Sequence, residues 1–499
     1  MPLTDNLPRN LYSAAQVREF DRIAIETFSV PGTTLMERAG SAAYELLCKA
    51  WPEAQTITVV CGVGNNGGDG YVLARLALQA GKTVHLLQLG ETEKIKGDAR
   101  TNYARFIEAG GEIKPFKTLP KETEVIVDGI FGTGLEREIT GAWRQAIEAI
   151  NASASPVLAL DIPSGLHSDS GRILGAAVKA NATISFIGLK RGEFTGAGPE
   201  QCGQIVFNDL DLPEALYAAE QPTARRVEWS MMTRLLGRRA RGAHKGDFGH
   251  LLIMGGDHGF SGAARMAGEA ALRTGAGLVS IATQPAHAAL LNIARPELMC
   301  HGVADASTLA PLLQRATVMA IGPGLGQGRW GRALLGAALE RRLPLIVDAD
   351  ALNQLASEPT RRDNWILTPH PGEAARLLGV SVAEVQADRF TSAQALQERY
   401  GGVVVLKGAG TLIAAAEPPI SVCTAGNPGM ATAGMGDLLT GIIAGMAAQG
   451  LSLSDAATAG VCLHAAAADR AAQAGERGLL ANDLQIELRL LLNTDWHQC

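Results

Sequence analysis

The sequence predicts an α/β protein made of two three-layer α/β/α domains. Three observations lead there. Short apolar runs recur along the whole chain and alternate with helical or glycine-rich segments, the rhythm of βαβ units that build parallel, doubly wound sheets. At 499 residues the chain is too long for one ordinary core, while α/β domains often exceed ~150 residues, so two domains suffice. The alternation breaks once, between about residues 209 and 245, where DLDLPEALYAAEQPTARRVEWS gives way to the basic turn RRARGAHKGDFG. Domains are therefore expected over residues 1–222 and 223–499.

The first predicted element is a helix. Ser13 opens it with the capping-box pattern SAAQ, and Val17, Phe20, Ile23 and Ile25 follow at loosely helical spacing. Strands are then predicted at ITVVCG (57–62), KTVHLLQL (82–89), EVIVDG (124–129), SPVLALD (155–161) and ATISFIG (182–188). A second series follows the break, at GHLLIMGG (249–256), GLVSIAT (277–283), ATVMAIGPGLG (316–326), PLIVDADAL (344–352), NWILTPHPGE (364–373) and GGVVVLKGAGT (401–411). Helices such as SGAARMAGEAALRTG separate these runs, and neither half repeats the other.

Composition narrows the function. A net charge of −6, a pI near 6.0 and 44 scattered basic residues leave no electrostatic footprint for nucleic acid. No stretch approaches the ~20 apolar residues that span a bilayer, and MPLTDNLPRN lacks the pattern of a signal peptide. The seven cysteines (48, 61, 202, 300, 423, 462 and 499) form no CxxC pair, which suits buried thiols in a reducing compartment. A cytoplasmic enzyme acting on small molecules is expected, with no nucleic-acid or membrane partner and a homo-oligomeric state.

The first βα turn reads CGVGNNGGDGYVLARLAL. Gly62, Gly64 and Gly67 satisfy G-x-G-x-x-G between a strand and a helix, as in a Rossmann-like dinucleotide site. An ordinary dehydrogenase would carry an acid at the end of the second strand, and here the first acid beyond it, Glu91, lies too far along. Asn65, Asn66, Gly68 and Asp69 exceed what a tight turn requires. Two further acids end strands, where such folds place chemistry: Asp128 before GIFGTGLEREITG, and Asp161 before IPSG with its Ser164. A lone acid of this kind is more often a turn or cap residue; the group shifts the balance towards a site.

GxGNNGGDG, DGxFGTGL and ALDIPSG together resemble the epimerase domain of bifunctional NAD(P)H-hydrate repair enzymes over residues 10–220. The resemblance implies that Asn65, Asn66, Gly67, Gly68 and Asp69, with Gly132, Thr133, Gly134, Leu135, Glu136, Arg137 and Glu138, hold a hydrated nicotinamide nucleotide. It implies potassium at Asn66, Asp128 and Ser164, and makes Asp161 the acid/base that interconverts the R and S hydrates at C6.

The last third holds GNPGMATAGMGDLLTGIIAG, residues 426–445, with Asp437 set among glycines where a helix is predicted to begin. Such a helix start collects free N–H groups and positive dipole, which makes an anion site. An acid there would repel phosphate, so a use as general base for an attacking hydroxyl competes evenly with plain N-capping. GPGLG, DADALN, TPHPGE and KGAGT supply more polar strand ends, and the last suits a nucleotide phosphate.

In order, HKGDFGHLLIMGG, GPGLG, DADALN, LTPHPGE, KGAGT and GNPGMATAGMGD resemble the ribokinase-like fold and, within it, the NAD(P)H-hydrate dehydratases, over residues 230–495. The resemblance implies that Lys407, Gly408, Ala409, Gly410, Thr411 and Gly436 bind ADP or ATP with Mg²⁺. It places Ala263, Gly324, His370 and Asp437 against the hydrated dinucleotide, NADHX or NADPHX, with Asp437 catalytic. Met435 departs from the small residue expected between the two glycines. Two alternatives stay open: a ribokinase-like small-molecule kinase fused to a nucleotide-binding domain, and a nucleotide-sensing module without catalysis.

Overall fold

The computed structural model describes residues 7–293 and 295–493. Its contacts divide the chain into one unit ending at Arg225 and a second beginning at Arg226. Cys499 and most of MPLTDNLPRN lie outside the described residues, and the six described cysteines are free thiols.

The first unit is built on seven strands: β1 (Thr56–Cys61), β2 (Thr83–Gln88), β3 (Ile113–Pro115), β4 (Val125–Gly129), β5 (Val157–Leu160), β6 (Ala182–Phe186) and β7 (Gln204–Asn208). Their order in space is β3-β2-β1-β4-β5-β6-β7, and every pairing is parallel. Parallel sheets need cover on both faces, which is why these strands read as unbroken apolar runs. Ile57 and Val59 pack on one face with Tyr71 and Val72 from the helix Asn65–Gln79. Val60, Ile126 and Val157 pack on the other with Ala146, Ile147 and Ile150 from the helix Gly141–Ala152.

The helix predicted from Ser13 spans Ala14–Glu26, and its capping box is formed. Its buried face is Ala14, Val17, Phe20 and Ala24, whereas Ile25, one position past Ala24 and so about 100° off the buried stripe, is 43% exposed.

Among the described residues, nine consecutive strands of the second unit's sheet stand in the order β16-β15-β14-β13-β12-β11-β8-β9-β10: β8 (His250–Met254), β9 (Leu278–Thr283), β10 (Met299–Gly302), β11 (Val318–Ile321), β12 (Leu345–Val347), β13 (Trp365–Leu367), β14 (Val403–Leu406), β15 (Thr411–Ala414) and β16 (Ile420–Cys423). Only β14–β15 and β15–β16 pair antiparallel in this series. The helix Met435–Ala448 is buried almost all round, as its apolar sequence requires. It lies against the helix Ser261–Thr274 so closely that a Cβ at Gly441 would stand 2.0 Å from the carbonyl oxygen of Ala267.

Two candidate active sites

In the first unit the strand order reverses between β1 and β4, and crevices at such switch points are where doubly wound sheets bind ligands. A cavity of about 680 Å³ opens there. Asn65, Asn66, Asp69, Gly132, Thr133, Gly134, Leu135, Glu136, Arg137 and Asp161 line it, joined by Val17, Arg18, Asp21 and Ile25 from the helix Ala14–Glu26. The glycine motif is not a loop ahead of a helix: Gly64 is the N-cap and Asn65 the first helical residue. Gly67 and Gly68 are not among the lining residues. A Cβ on Gly67 would lie 2.3 Å from the Gly62 carbonyl and one on Gly68 2.5 Å from the Met36 sulfur, so both glycines let the helix approach its neighbours. Glu138 is not a lining residue either; its carboxylate stands 4.0 Å from Arg172.

Asp161 follows the end of β5 with φ of +64°, a conformation that Asp tolerates better than most side chains. Its Oδ1 accepts from the Nζ of Lys190, which is wholly buried. That ammonium also donates to the Asp161 carbonyl at 3.0 Å and to Ser185 Oγ at 2.8 Å, so its position is fixed by three oxygens. The other carboxylate oxygen accepts from the Thr133 N–H at 3.4 Å, at the cavity wall. Asp69 is deeply buried beside these groups, and burial, then the charges of Asp161 and Asp21, pushes its carboxyl well up despite Lys190.

Beneath the cavity wall, Asp128 accepts from the backbone of Ser164 at 2.8 Å, its hydroxyl at 2.6 Å and the N–H of Ile130 at 3.2 Å. Burial raises the Asp128 carboxyl to about 6 while these donors work the other way. Asn66 donates through Nδ2 to the Phe131 carbonyl at 2.9 Å, and its buried Oδ1 has no hydrogen-bond partner among the described residues. An orphaned amide oxygen near a carboxylate, a hydroxyl and a carbonyl is a donor set of hard oxygens, which fits a cation.

In the second unit the strand order reverses between β8 and β11. Ala263 and Gly324 meet there: a Cβ on Gly324, which has φ of +58°, would come within 3.3 Å of the Ala263 Cβ. Successive strand ends bring up the rest. Asp348, after β12, accepts from Lys407 Nζ at 2.9 Å and from Thr440 Oγ1 at 2.8 Å. Lys407, after β14, also stands 3.8 Å from Glu373, and although burial opposes its charge, the two carboxylates raise its pKa overall. A Cβ on Gly436 would lie 3.5 Å from that ammonium. The β14–β15 hairpin carries Gly408, Ala409 and Gly410, with Gly408 at φ of +140° and the Thr411 hydroxyl donating to the Gly408 carbonyl at 3.0 Å.

The helix expected from Asp437 begins two residues earlier, at Met435, with Gly434 as N-cap at φ of +88°. Met435 points into the core and leaves the turn intact. Asp437 is therefore no cap: its carboxylate makes no hydrogen bond or ion pair among the described residues. Burial, then Asp348, raises it to about 7 against the pull of Lys407. His370 does cap, with Nδ1 accepting from the N–H groups of Gly372 at 2.9 Å and Glu373 at 3.4 Å, while its Nε2 stands 3.5 Å from the buried Glu373 carboxylate.

The relatives decide the family. Over 486 residues the chain is 53% identical to the bifunctional NAD(P)H-hydrate repair enzyme of Coxiella burnetii, covering 97% of this chain and 99% of that one. The chain belongs to the bifunctional NAD(P)H-hydrate repair enzymes. The Escherichia coli K12 member is 44% identical, with 98% of this chain and 95% of that one covered. The family model described as NAD(P)H-hydrate dehydratase matches residues 251–489, and the one described as YjeF-related protein N-terminus matches residues 32–192. Among solved structures, a ribokinase-like superfamily protein of Enterococcus faecalis is similar to the second unit, at 28% identity and a TM-score of 0.52, with 55% of this chain and 97% of that chain covered.

Several residues of these repair-enzyme sites carry no signal in the sequence. Lys190 stands in an unremarked LKRG, and only the fold brings its ammonium to Asp161. Asp21 has a faint signal, since Val17, Asp21 and Ile25 are spaced four apart and all line the cavity. Arg389, 1% exposed, donates to the carbonyls of Leu406 and Lys407 at 3.3 Å and of Gly410 at 3.4 Å, holding the KGAGT turn from below. His464 is buried near Lys407, and burial first, then that ammonium, holds its imidazole down at about 4.

Proposed function

We propose that the first unit epimerises the R and S hydrates of NADH and NADPH through Asp161, and that the second dehydrates the S form through Asp437. Each unit carries a complete site at its own switch point, which supports the domain division 1–222 and 223–499. The chemistry of the second site follows from its parts. The Asp437 carboxylate takes the proton of the C6 hydroxyl as that oxygen attacks the terminal phosphorus of ADP or ATP, whose bridging P–O bond breaks to release AMP or ADP. The new C–O–P linkage turns a poor leaving group into a good one. Phosphate departs with the C6–O electron pair, the ring nitrogen stabilises the resulting cation, and loss of a C5 proton to water or to the departing phosphate restores the ring double bond. Lys407 and the N–H groups of the KGAGT turn and of Gly436 face the transferring phosphoryl oxygens. Mg²⁺, bound chiefly through the nucleotide phosphates, would neutralise their charge.

In the first site Lys190 and the Thr133 N–H orient the Asp161 carboxylate toward the ring, where it carries the proton at the C6 hydroxyl. Asn66, Asp128 and Ser164, with the Phe131 carbonyl, would hold potassium, which supplies fixed positive charge under the nucleotide. The cavity-lining residues Asn65, Asn66, Asp69 and Gly132 to Arg137 surround the dinucleotide. The free thiols of all six described cysteines suit work in the cytoplasm.

One observation carries this reading most: Asp437 is a helix-start carboxylate with no structural partner among the described residues, set beside Lys407. A buried acid held that way is retained for reaction rather than stability. The test supplies a mixed hydrate with ADP or ATP and follows reduced-nicotinamide absorbance together with phosphate. Full recovery with one free phosphate per nicotinamide supports the reading; phosphate retained on an organic product would replace it with a kinase.

A further inference from the structure

We propose that Asp21 is a second catalytic proton carrier of the epimerase site, acting on C6 from a different wall of the cavity than Asp161. The inference rests on the epimerase reading above. Asp161 enters from the end of β5, and Asp21 from the helix Ala14–Glu26, yet both line one cavity. The Asp21 carboxylate makes no hydrogen bond or ion pair among the described residues, although Val17 and Ile25 flank it one turn away on each side. An acid placed between apolar neighbours with nothing to hold is costly unless a ligand meets it. Burial, then the charge of Asp161, keeps its carboxyl up at about 6 despite Lys190, so a proton is available to give.

When inversion passes through a planar cationic ring, water leaves one face of C6 and adds to the other, and a carboxyl group on each wall of the cavity serves the two steps. The neutral Asp21 carboxyl donates its proton to the C6 hydroxyl. The C6–O bond breaks, its electron pair leaves with water, and the nitrogen lone pair forms a C=N bond, giving a cationic ring. Water then adds to the other face of C6 as the C=N pair returns to nitrogen, and Asp161 accepts the released proton. Between turnovers the proton passes back through solvent; in the reverse direction the two acids exchange tasks. Once Asp21 has given its proton, its carboxylate faces the cationic ring in the same cavity as Asp161 and offsets the ring's charge.

The test uses the full-length enzyme and purified R hydrate, with S-hydrate dehydration as the internal control for folding. Asp21→Asn is expected to lower kcat for R-hydrate consumption by about 10²- to 10⁴-fold while KM stays within about threefold. Asp21→Glu should recover part of that loss. A kcat for Asp21→Asn within about threefold of wild type overturns the inference. Asp161→Asn separates the two readings: if it is inactive while Asp21→Asn is normal, only this inference fails, and if both are normal the epimerase assignment itself fails. Should Asp21→Asn not fold, the wild-type profile decides. Asp69, Asp98, Glu136, Arg137 and Asp161, with Arg18 on its own helix and Lys190 beneath, are the charged groups facing Asp21. Loss of R-hydrate kcat/KM as pH rises above about 6 supports a proton donor there, and a kcat/KM that is flat or rising to about pH 8 overturns it.

Discussion

The ammonium of Lys190 has no solvent exposure and donates to the carboxylate of Asp161, 29 residues earlier in the chain, whose side chain is 17% exposed toward the cavity. The pair thus has one end in the protein and the other in the site. Replacing Lys190 with Met is expected to cost the first unit about 3–5 kcal/mol, because it strands a largely buried carboxylate. It should also remove most R-hydrate repair while sparing S-hydrate dehydration. Lys190→Arg should not rescue, since a wholly buried pocket cannot take the larger planar head group. Thermal unfolding and progress curves on each epimer check both parts.

The second site should show an acidic limb. Asp437 must be ionised to act as a base, and its carboxyl is held at about 7, so kcat/KM for dehydration should fall about tenfold per pH unit below that value. Stability runs the other way. The pKa is raised in the folded state, so this carboxyl stabilises the fold at low pH and that contribution is lost as pH rises through about 7. Asp437→Asn should leave nucleotide binding intact, lower dehydration by about 10²- to 10⁴-fold, and flatten this part of the stability profile. A pH–rate profile with parallel melting curves measures both.

Exchange of potassium for a bulky organic cation should slow epimerisation and leave dehydration unchanged. The same exchange should lower the melting temperature of the first unit in wild type. In Asn66→Ala that dependence should be weaker, because the amide oxygen left without a partner is gone. A melting temperature equally sensitive to potassium in both proteins would place the ion elsewhere.

The two units should separate. Val227 and Trp229 pack in the core of the second, with the Trp229 indole donating to the Leu491 carbonyl at 3.3 Å, so a cut after residue 222 keeps that core whole. The piece from residue 223 onward is expected to fold and to dehydrate only the S hydrate. Insolubility, or equal consumption of both epimers, would contradict the division.

Much of this architecture was legible in the sequence because parallel strands buried on both faces show as apolar runs, and because glycines and strand-end acids mark the loops between them. The motif residues Asn66, Asp128, Asp161, Ser164, Lys407 and Asp437 all fall at strand or helix ends for that reason. What was not legible depends on distance. Lys190, Asp21, Arg389 and His464 are ordinary residues on ordinary elements, and only long-range packing gives them a neighbour that matters: Lys190 and Asp161, for example, are 29 positions apart. The glycines erred in the other direction. Gly67 and Gly68 look like ligand contacts within NNGGDG, yet close helix packing explains them.

The central claim is that two sites work in series on one damaged nucleotide, with Asp161 required only for the R form. It is tested most directly by a progress curve on mixed epimers with excess ADP or ATP, comparing wild type with Asp161→Ala. Wild type should consume all of the hydrate. The variant should match its initial rate on the S form and then stall, with the remaining R hydrate lost only at the uncatalysed rate. A variant that runs to completion as fast as wild type would contradict the account.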